Sequence, residues 1–331
     1  VSLFVSLRQF FTPVDVARRL EAMPPIVTTV TDTYFKNRTQ YDTPVIPLAD
    51  ILAVTRCAPV ISRGAPSIPV NAEQMQLSFV EPLSVRIHDL INAVEANNLK
   101  LLGKDGKEAW AMRRQLQLRN TVRLTIEALN AQALFDGAID FPLLLSSGAY
   151  ARYKVSYGTS INNFAPDKAW DAAGTKLMDV YLQLDEIDTL LKEAGHGGQV
   201  EFCAGKKAYA ALLGLAQAVN TSAKVNVAIG QGQVEVNGFT VKKMAETYVD
   251  PETGTAKAKI ADDEIRAVTV GTSGQFFGPV DDLAANLQPL PFFVKPVEID
   301  DPSGIRLVAE SKPLPAVAPR SVCKAKVTNL G

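Results

Sequence analysis

The chain has 331 residues, of which 47% are hydrophobic and 21% charged, and its formal net charge is −1. That length exceeds what one hydrophobic core usually serves, so two domains are expected, and the near-neutral balance speaks against a protein that grips nucleic acid through a basic face. Cys57, Cys203 and Cys323 are too few and too widely spaced for a disulfide framework and read as small buried hydrophobes in a reducing compartment.

Val1 to Phe11 is apolar but short and carries Arg8, a poor signal peptide, and no run approaches the ~20 apolar residues of a membrane span. A soluble chain made in the cytoplasm is therefore expected. Nine of the 20 prolines fall in residues 1–82 and eight in 279–319, so both ends read as extended connections and edge strands. Thr12 can cap a short helix over 14–22 with Pro13 at its first position. Ile26 to Val30 then reads as extended. Residues 41–80 alternate β-branched residues and prolines around Ser62-Arg63-Gly64. They read as a long two-stranded excursion, and an isolated hairpin is marginal in water. Either it packs on a core of its own, or neighbouring subunits hold it.

Residues 83–102, with Val85, Leu90, Ile91 and Val94 among charges, read as helical. Lys107 to Asp136 contains no Gly and no Pro, and Gly106 and Gly137 bracket it. A helix of this length spans roughly 45 Å at about 1.5 Å per residue. It carries two apolar stripes. Ala111, Leu118, Val122, Ile126, Leu129 and Ala133 line one side; Trp110, Leu124, Ala128, Ala131 and Phe135 lie nearly opposite. A surface helix needs one stripe, so both faces ask for cover. Arg113, Arg114, Arg119 and Arg123 sit between the stripes. The helix is either central to an α+β domain with solvated arginines, or a spine covered by its own sheet on one side and by another domain or subunit on the other.

A hairpin is expected from residues 138–141 and 152–157. From Trp170 the pattern alternates: a helix over 177–193 ending at Gly195, a strand over 199–203, a helix over 206–218, then strands over 224–229, 233–242, 247–250, 257–260 and 267–270. Pro251-Glu-Thr-Gly254 is a turn. This is a second α+β domain, about 166–305, and strands over 305–309 and 321–327 can return to the first.

Chemistry-bearing motifs are scarce. His88, placed in the helical segment, and His196, in the turn before Gly198, have no metal-ligand spacing around them and no nucleophile motif. Gly230-Gln-Gly232 lacks the Lys-Ser/Thr ending of a phosphate loop and reads as a hairpin turn. Asp262-Asp263-Glu264 and Asp281-Asp282 read as solvated turns. No catalytic, cofactor or metal site is expected, and the enzyme class becomes less favoured.

The order of parts resembles the Hong Kong 97-type fold of tailed-phage major capsid proteins, and is most similar to the lambda-type protein E family. The carrying residues are Pro59-Val60-Ile61-Ser62-Arg63-Gly64, Phe135-Asp136-Gly137, Trp170 and Leu184-Asp185-Glu186-Ile187. Phe202-Cys203-Ala204-Gly205-Lys206-Lys207-Ala208-Tyr209 and Glu310-Ser311-Lys312-Pro313-Leu314-Pro315 complete them. The resemblance implies an N-terminal arm (1–40), an extended loop (41–80) and a peripheral domain (81–165) with the spine helix. An axial domain (166–305) and a C-terminal return to the peripheral domain (306–331) complete the implied layout. It implies hexamers and pentamers in an icosahedral head around double-stranded DNA, assembled in the host bacterial cytoplasm with scaffold and portal proteins. No cofactor and no membrane partner are implied. Contacts between subunits are expected at Arg63, Gly64, Trp110, Arg119, Arg123, Leu124 and Phe135.

Some members of the fold crosslink this loop to a neighbour through a Lys–Asn isopeptide bond. Residues 41–80 contain no lysine, so no such bond is expected here. A decoration protein seated near Arg63 and the N-terminal residues is the expected substitute. The alternatives are an encapsulin-like nanocompartment, which shares the fold but encloses enzyme cargo, and a motif-poor cytosolic α+β enzyme.

Overall fold

The computed structural model describes residues 11–12, 15–16, 18–19, 26–47, 79–218, 225–301 and 303–328. In chain order the elements are helix α1 (Thr29–Tyr34), strands β1 (Asn37–Gln40), β2 (Ile46–Pro47), β3 (Phe79–Val80) and β4 (Val85–Asn92), and helices α2 (Ala93–Asn98) and α3 (Lys104–Asp136). Then come β5 (Ala138–Leu144), β6 (Tyr150–Ser156), β7 (Asn162–Phe164), α4 (Leu177–Glu193), β8 (Val200–Ala204) and α5 (Lys206–Gln217). The remainder is β9 (Val227–Gly230), β10 (Gln233–Val236), β11 (Phe239–Lys243), β12 (Thr247–Val249), β13 (Ala256–Ala258), β14 (Glu264–Thr269), β15 (Ser273–Phe277), β16 (Phe293–Ile299), β17 (Gly304–Ser311), β18 (Pro313–Val317) and β19 (Val322–Lys326).

The spine helix α3 begins three residues earlier than its sequence suggests, with Gly103 as N-cap, and ends at Gly137 in the left-handed region (φ 69°). Gly137 N–H donates to Ala133 O, and a Cβ on Gly137 would lie 2.5 Å from Ile161 Cγ2. Glycine is required there twice over: for the backbone turn that closes the helix and for the close approach of Ile161.

Most of both apolar stripes is covered by the chain itself. Trp110, Ala111 and Leu118 pack on Ile91 of β4, Val294 of β16 and Leu307 of β17. Farther along, Ala128, Leu129, Ala131, Leu134 and Phe135 pack against Val30, Tyr34 and Phe35 of the arm, Ile139 and Tyr157 of the following hairpin, and Leu314 of β18. Trp110 and Phe135 are therefore core residues, and Phe135 is wholly buried. Leu124 is different, at 51% exposed.

The expected helix over 83–102 is helical only in its second half, over 93–101; residues 85–92 are strand β4, on which His88 lies, exposed and opposite Val308. Val85, Ile87, Asp89 and Ile91 face inward at period two, and pairing with β17 along the whole strand decides between the two periods. Val94 falls in α2, which Asn92 caps through Glu95 N–H. Residues 233–242 are two strands, not one: Asn237 and Gly238 adopt positive φ and turn β10 back onto β11. The extended reading of Ile26 to Val30 fails at its end: Thr28 is extended, but α1 begins at Thr29. The expected hairpin β5–β6, helix α4 and the Gly230–Gly232 turn lie where the sequence puts them.

Among the described residues the second lobe centres on a sheet of order β7-β19-β14-β8-β11-β10-β9. Leu177, Val180, Leu184, Ile187 and Leu191 of α4, at helical spacing, meet Phe202, Val241, Ile265 and Ala325 of the sheet, with Ala208 and Leu212 of α5 beside them. Trp170 joins this core, donating its Nε1–H to Gln183 Oε1 at 2.7 Å and its backbone N–H to Val327 O. Gly205 lets α5 start against the 261–262 loop: a Cβ there would sit 2.0 Å from Ala261 O, and Asp262 O accepts from Lys207 and Ala208 N–H. That is why the Ala204-Gly205-Lys206 step has no side chain at its centre.

Two boundaries move. β16, expected in the 166–305 domain, pairs with β17 in the sheet beneath α3. β19, expected to return to the first domain, is an inner strand of the second lobe's sheet, between β7 and β14.

Candidate assembly surface

Six residues of α1 make too short a helix to stand alone. A carboxylate from the spine helix holds it: Glu127 accepts from Val30 N–H and Thr31 N–H, both at 2.8 Å, and from the Thr31 hydroxyl at 2.5 Å. It thereby caps a helix start 97 residues away in sequence. Lys259 Nζ lies 2.5 Å from Glu127 Oε1, with the two side chains only 4% and 5% exposed, and it also pairs with Glu246. Glu246 in turn accepts from the Thr29 hydroxyl. Asn130 Nδ2 donates to Thr31 Oγ1 at 3.0 Å.

Arg123 adds a second tie, reaching Thr28 Oγ1 at 2.9 Å and Asp32 Oδ1 at 3.0 Å. Burial pushes the Asp32 carboxyl up, but hydrogen bonds from the Thr28 N–H and hydroxyl and the Arg123 charge outweigh it and hold the group below the usual carboxylate range. Glu246 follows the same pattern: burial raises it, and the bonds from Lys259 and Thr29 bring it below its ordinary value. The arm is thus fastened to the spine helix and to the 245–260 region by a charge network with the buried Glu127–Lys259 pair at its centre.

Beside this clamp runs an open apolar groove of about 860 Å³. Leu124 and Ala128 of α3 form one wall, Val85 and Ile87 of β4 lie along it, and the hairpin residues Phe141, Leu144 and Tyr150 form another. Val27, Leu144 and Val249 on its margin are exposed to 83%, 61% and 64%.

Of the residues expected at subunit contacts, Leu124 lines this groove, whereas Arg119 and Arg123 line a second, smaller cavity. Trp110 and Phe135 are core. Arg63 and Gly64, with Cys57, the turn of the excursion and the expected seat of a decoration protein, lie outside the described residues. Sequence reasoning missed Glu127 and Lys259. Their only signal was charge at positions that the apolar periodicity assigns to the interior.

Chemically the described residues offer binding surface more than reactive groups. Burial pushes the Cys203 thiol up to about 11 and the Cys323 thiol up to about 12, so neither is a thiolate near neutrality. No group of three His, Cys, Asp or Glu that could hold a metal occurs among the described residues. No helix among them is long and apolar enough to cross a membrane.

Comparison with known proteins gives this surface a setting. The chain has the fold of a protein described as a prophage capsid protein of E. coli CFT073, with TM-score 0.61 and 14% identity, covering 96% of this chain and 99% of that one. Weaker likenesses include the capsid of cyanophage P-SCSP1u, at TM-score 0.47 and 11% identity over 93% of this chain and 90% of that one. The SrpI encapsulin of Synechococcus elongatus PCC 7942 gives TM-score 0.45 and 12% identity over 95% of each. No curated protein matches in sequence. The model of the phage major capsid protein E family matches residues 12–327, and the chain belongs to that family.

Proposed function

We propose that this phage major capsid protein, a structural component of the virion, builds its shell by seating a neighbouring copy in the groove beside Leu124. The single observation that supports this is the apolar groove that leaves Leu124 of the spine helix half exposed. Copies associate as hexamers and pentamers in an icosahedral head around double-stranded DNA. The lobe carrying α4 and α5 lies toward the capsomer axes, and the spine-helix lobe lies at the periphery. The near-neutral charge is compatible with this, because packaged DNA brings its own counterions. Assembly takes place in the host bacterial cytoplasm, with scaffold and portal proteins, and a decoration protein reinforces the head in place of a crosslink. The subunit's role is structural and not catalytic.

Size-exclusion chromatography with negative-stain microscopy of the expressed chain tests this reading. Void-volume closed particles are expected, and Leu124→Asp should leave a soluble, folded subunit that forms none. A wild-type chain that stays monomeric under assembly conditions would end the proposal. Particles carrying an enzyme cargo would point instead to a nanocompartment.

A further inference from the structure

The helix layer of the second lobe has two outer faces that stay exposed among the described residues. α4 buries Leu177, Val180, Leu184, Ile187 and Leu191 against the sheet. Its opposite face presents Met178, Leu182, Asp185 and Glu186 to solvent. Asp185 and Glu186 form no ion pair among the described residues, and Lys192 on the same helix is held by Asp188 at 2.5 Å. α5 buries Ala208, Tyr209, Leu212 and Ala216 and turns Lys206, Lys207, Ala210 and Gly214 outward. Lys206 and Lys207 likewise form no ion pair among the described residues, and α5 contains no carboxylate. Lys243, exposed over the Tyr209 ring, adds a third positive charge at the same end. A Cβ on Gly214 would meet nothing within 4 Å, so its own copy gives no steric reason for a residue that weakens a helix interior.

We infer that these two faces dock on each other between copies, with α4 of one subunit lying antiparallel along α5 of a second. Charge is the first correspondence: one face carries free carboxylates and the other free ammonium groups. Order along the helices is the second. Toward its C-terminus α4 presents Met178, Leu182 and then Asp185-Glu186, whereas α5 presents Lys206-Lys207, Ala210 and then Gly214. Each series steps by single helical turns, so reversing one of them sets the carboxylates against the lysines, Leu182 against Ala210 and Met178 against Gly214 in one register. Large side chains then fall on small ones, which lets helix axes approach to about 8–10 Å. The partner follows from the layering. α4 and α5 pack on the same sheet, so within one copy their outer faces point the same way and cannot meet. A second copy brings them together. This contact is separate from the groove beside Leu124; it deepens the shell reading and rests on it for the association of copies.

Two singly substituted full-length chains, Leu182→Cys and Ala210→Cys, mixed before assembly and oxidised with diamide, test the contact. A reducible dimer holding one chain of each kind is expected in the mixture and absent from either chain alone. Wild type treated alike accounts for Cys57, Cys203 and Cys323. Charge exchange is the second measurement. Asp185→Lys with Glu186→Lys should raise the concentration needed for assembly by at least about tenfold, and adding Lys206→Glu with Lys207→Glu should return it to within about threefold of wild type. A folding defect would not be repaired by the second pair. Closed particles without the mixed dimer, or a fourfold variant no better than the twofold one, overturn the inference and leave the shell reading standing. A mixed dimer without closed particles upholds this contact alone, and absence of both removes the two readings together.

Discussion

The lobe around the seven-stranded sheet and the lobe around the spine helix solve burial differently. In the first, α4 and α5 close an apolar core over Phe202, Val241 and Ile265, and Trp170 seals one end with both of its N–H groups satisfied. In the second, apolar packing covers the helix ends, while a buried carboxylate–ammonium pair fastens the arm midway and leaves apolar surface open beside it. The contrast teaches what each lobe needs. A core closed by hydrophobic burial is complete in one copy. A lobe fixed by directional polar bonds holds a precise shape with an unfilled groove, which suits a surface that another molecule completes.

Perturbations should separate the two. The largest loss is expected from Trp170→Ala, at about 3–5 kcal/mol, because it empties a large buried volume and strips Gln183 of its donor. Denaturant unfolding should show it as a shifted midpoint. Glu127→Ala is expected to cost about 3–5 kcal/mol locally, since it leaves the α1 N–H groups without an acceptor and Lys259 with the half-exposed Glu246 alone. Limited proteolysis should then cut within 26–36 while the second lobe stays resistant; uniform digestion of both lobes would show that the contrast is wrong.

Gly137→Ala should cost about 1–2 kcal/mol or more, through the left-handed backbone and the Ile161 contact, and should lower the thermal midpoint without changing where proteases cut. Acid should act on the arm first. Asp32 and Glu246 sit below their ordinary values, so their contribution is complete above the unfolded carboxylate range and is lost as pH falls beneath it. Amide exchange in 28–34 should accelerate below about pH 4 before that of β8 or β14 does. The smallest stability effect belongs to Leu124→Asp, within about 0.5 kcal/mol, although its effect on association is the largest of the set.

The second lobe was the more legible in sequence. The amphipathic stripe of α4 and its stop at Gly195 are local patterns, and the structure follows them. Elements decided by distant partners were not legible. Val85 to Asn92 carries mixed periodicity until β17 pairs with it. Thr29 to Tyr34 has β-branched residues that favour strand, and distant partners, Glu127 first among them at 97 residues from Val30, hold it as a helix. The two stripes of the spine helix were visible, but sequence could not say that arm and hairpin cover most of the second one. The groove, being a surface left over, has no signal beyond Leu124.

Arg266 lies in β14, deep in the second lobe, with 2% of its side chain exposed. Its Nε donates to Phe135 O at 2.7 Å, in the last turn of the spine helix. A rod about 50 Å long is thus pinned at its tip to an inner strand of the other lobe's sheet. Such a joint resists slipping and twisting of the rod against that sheet, so the tip of the helix and the neighbouring body act as one piece.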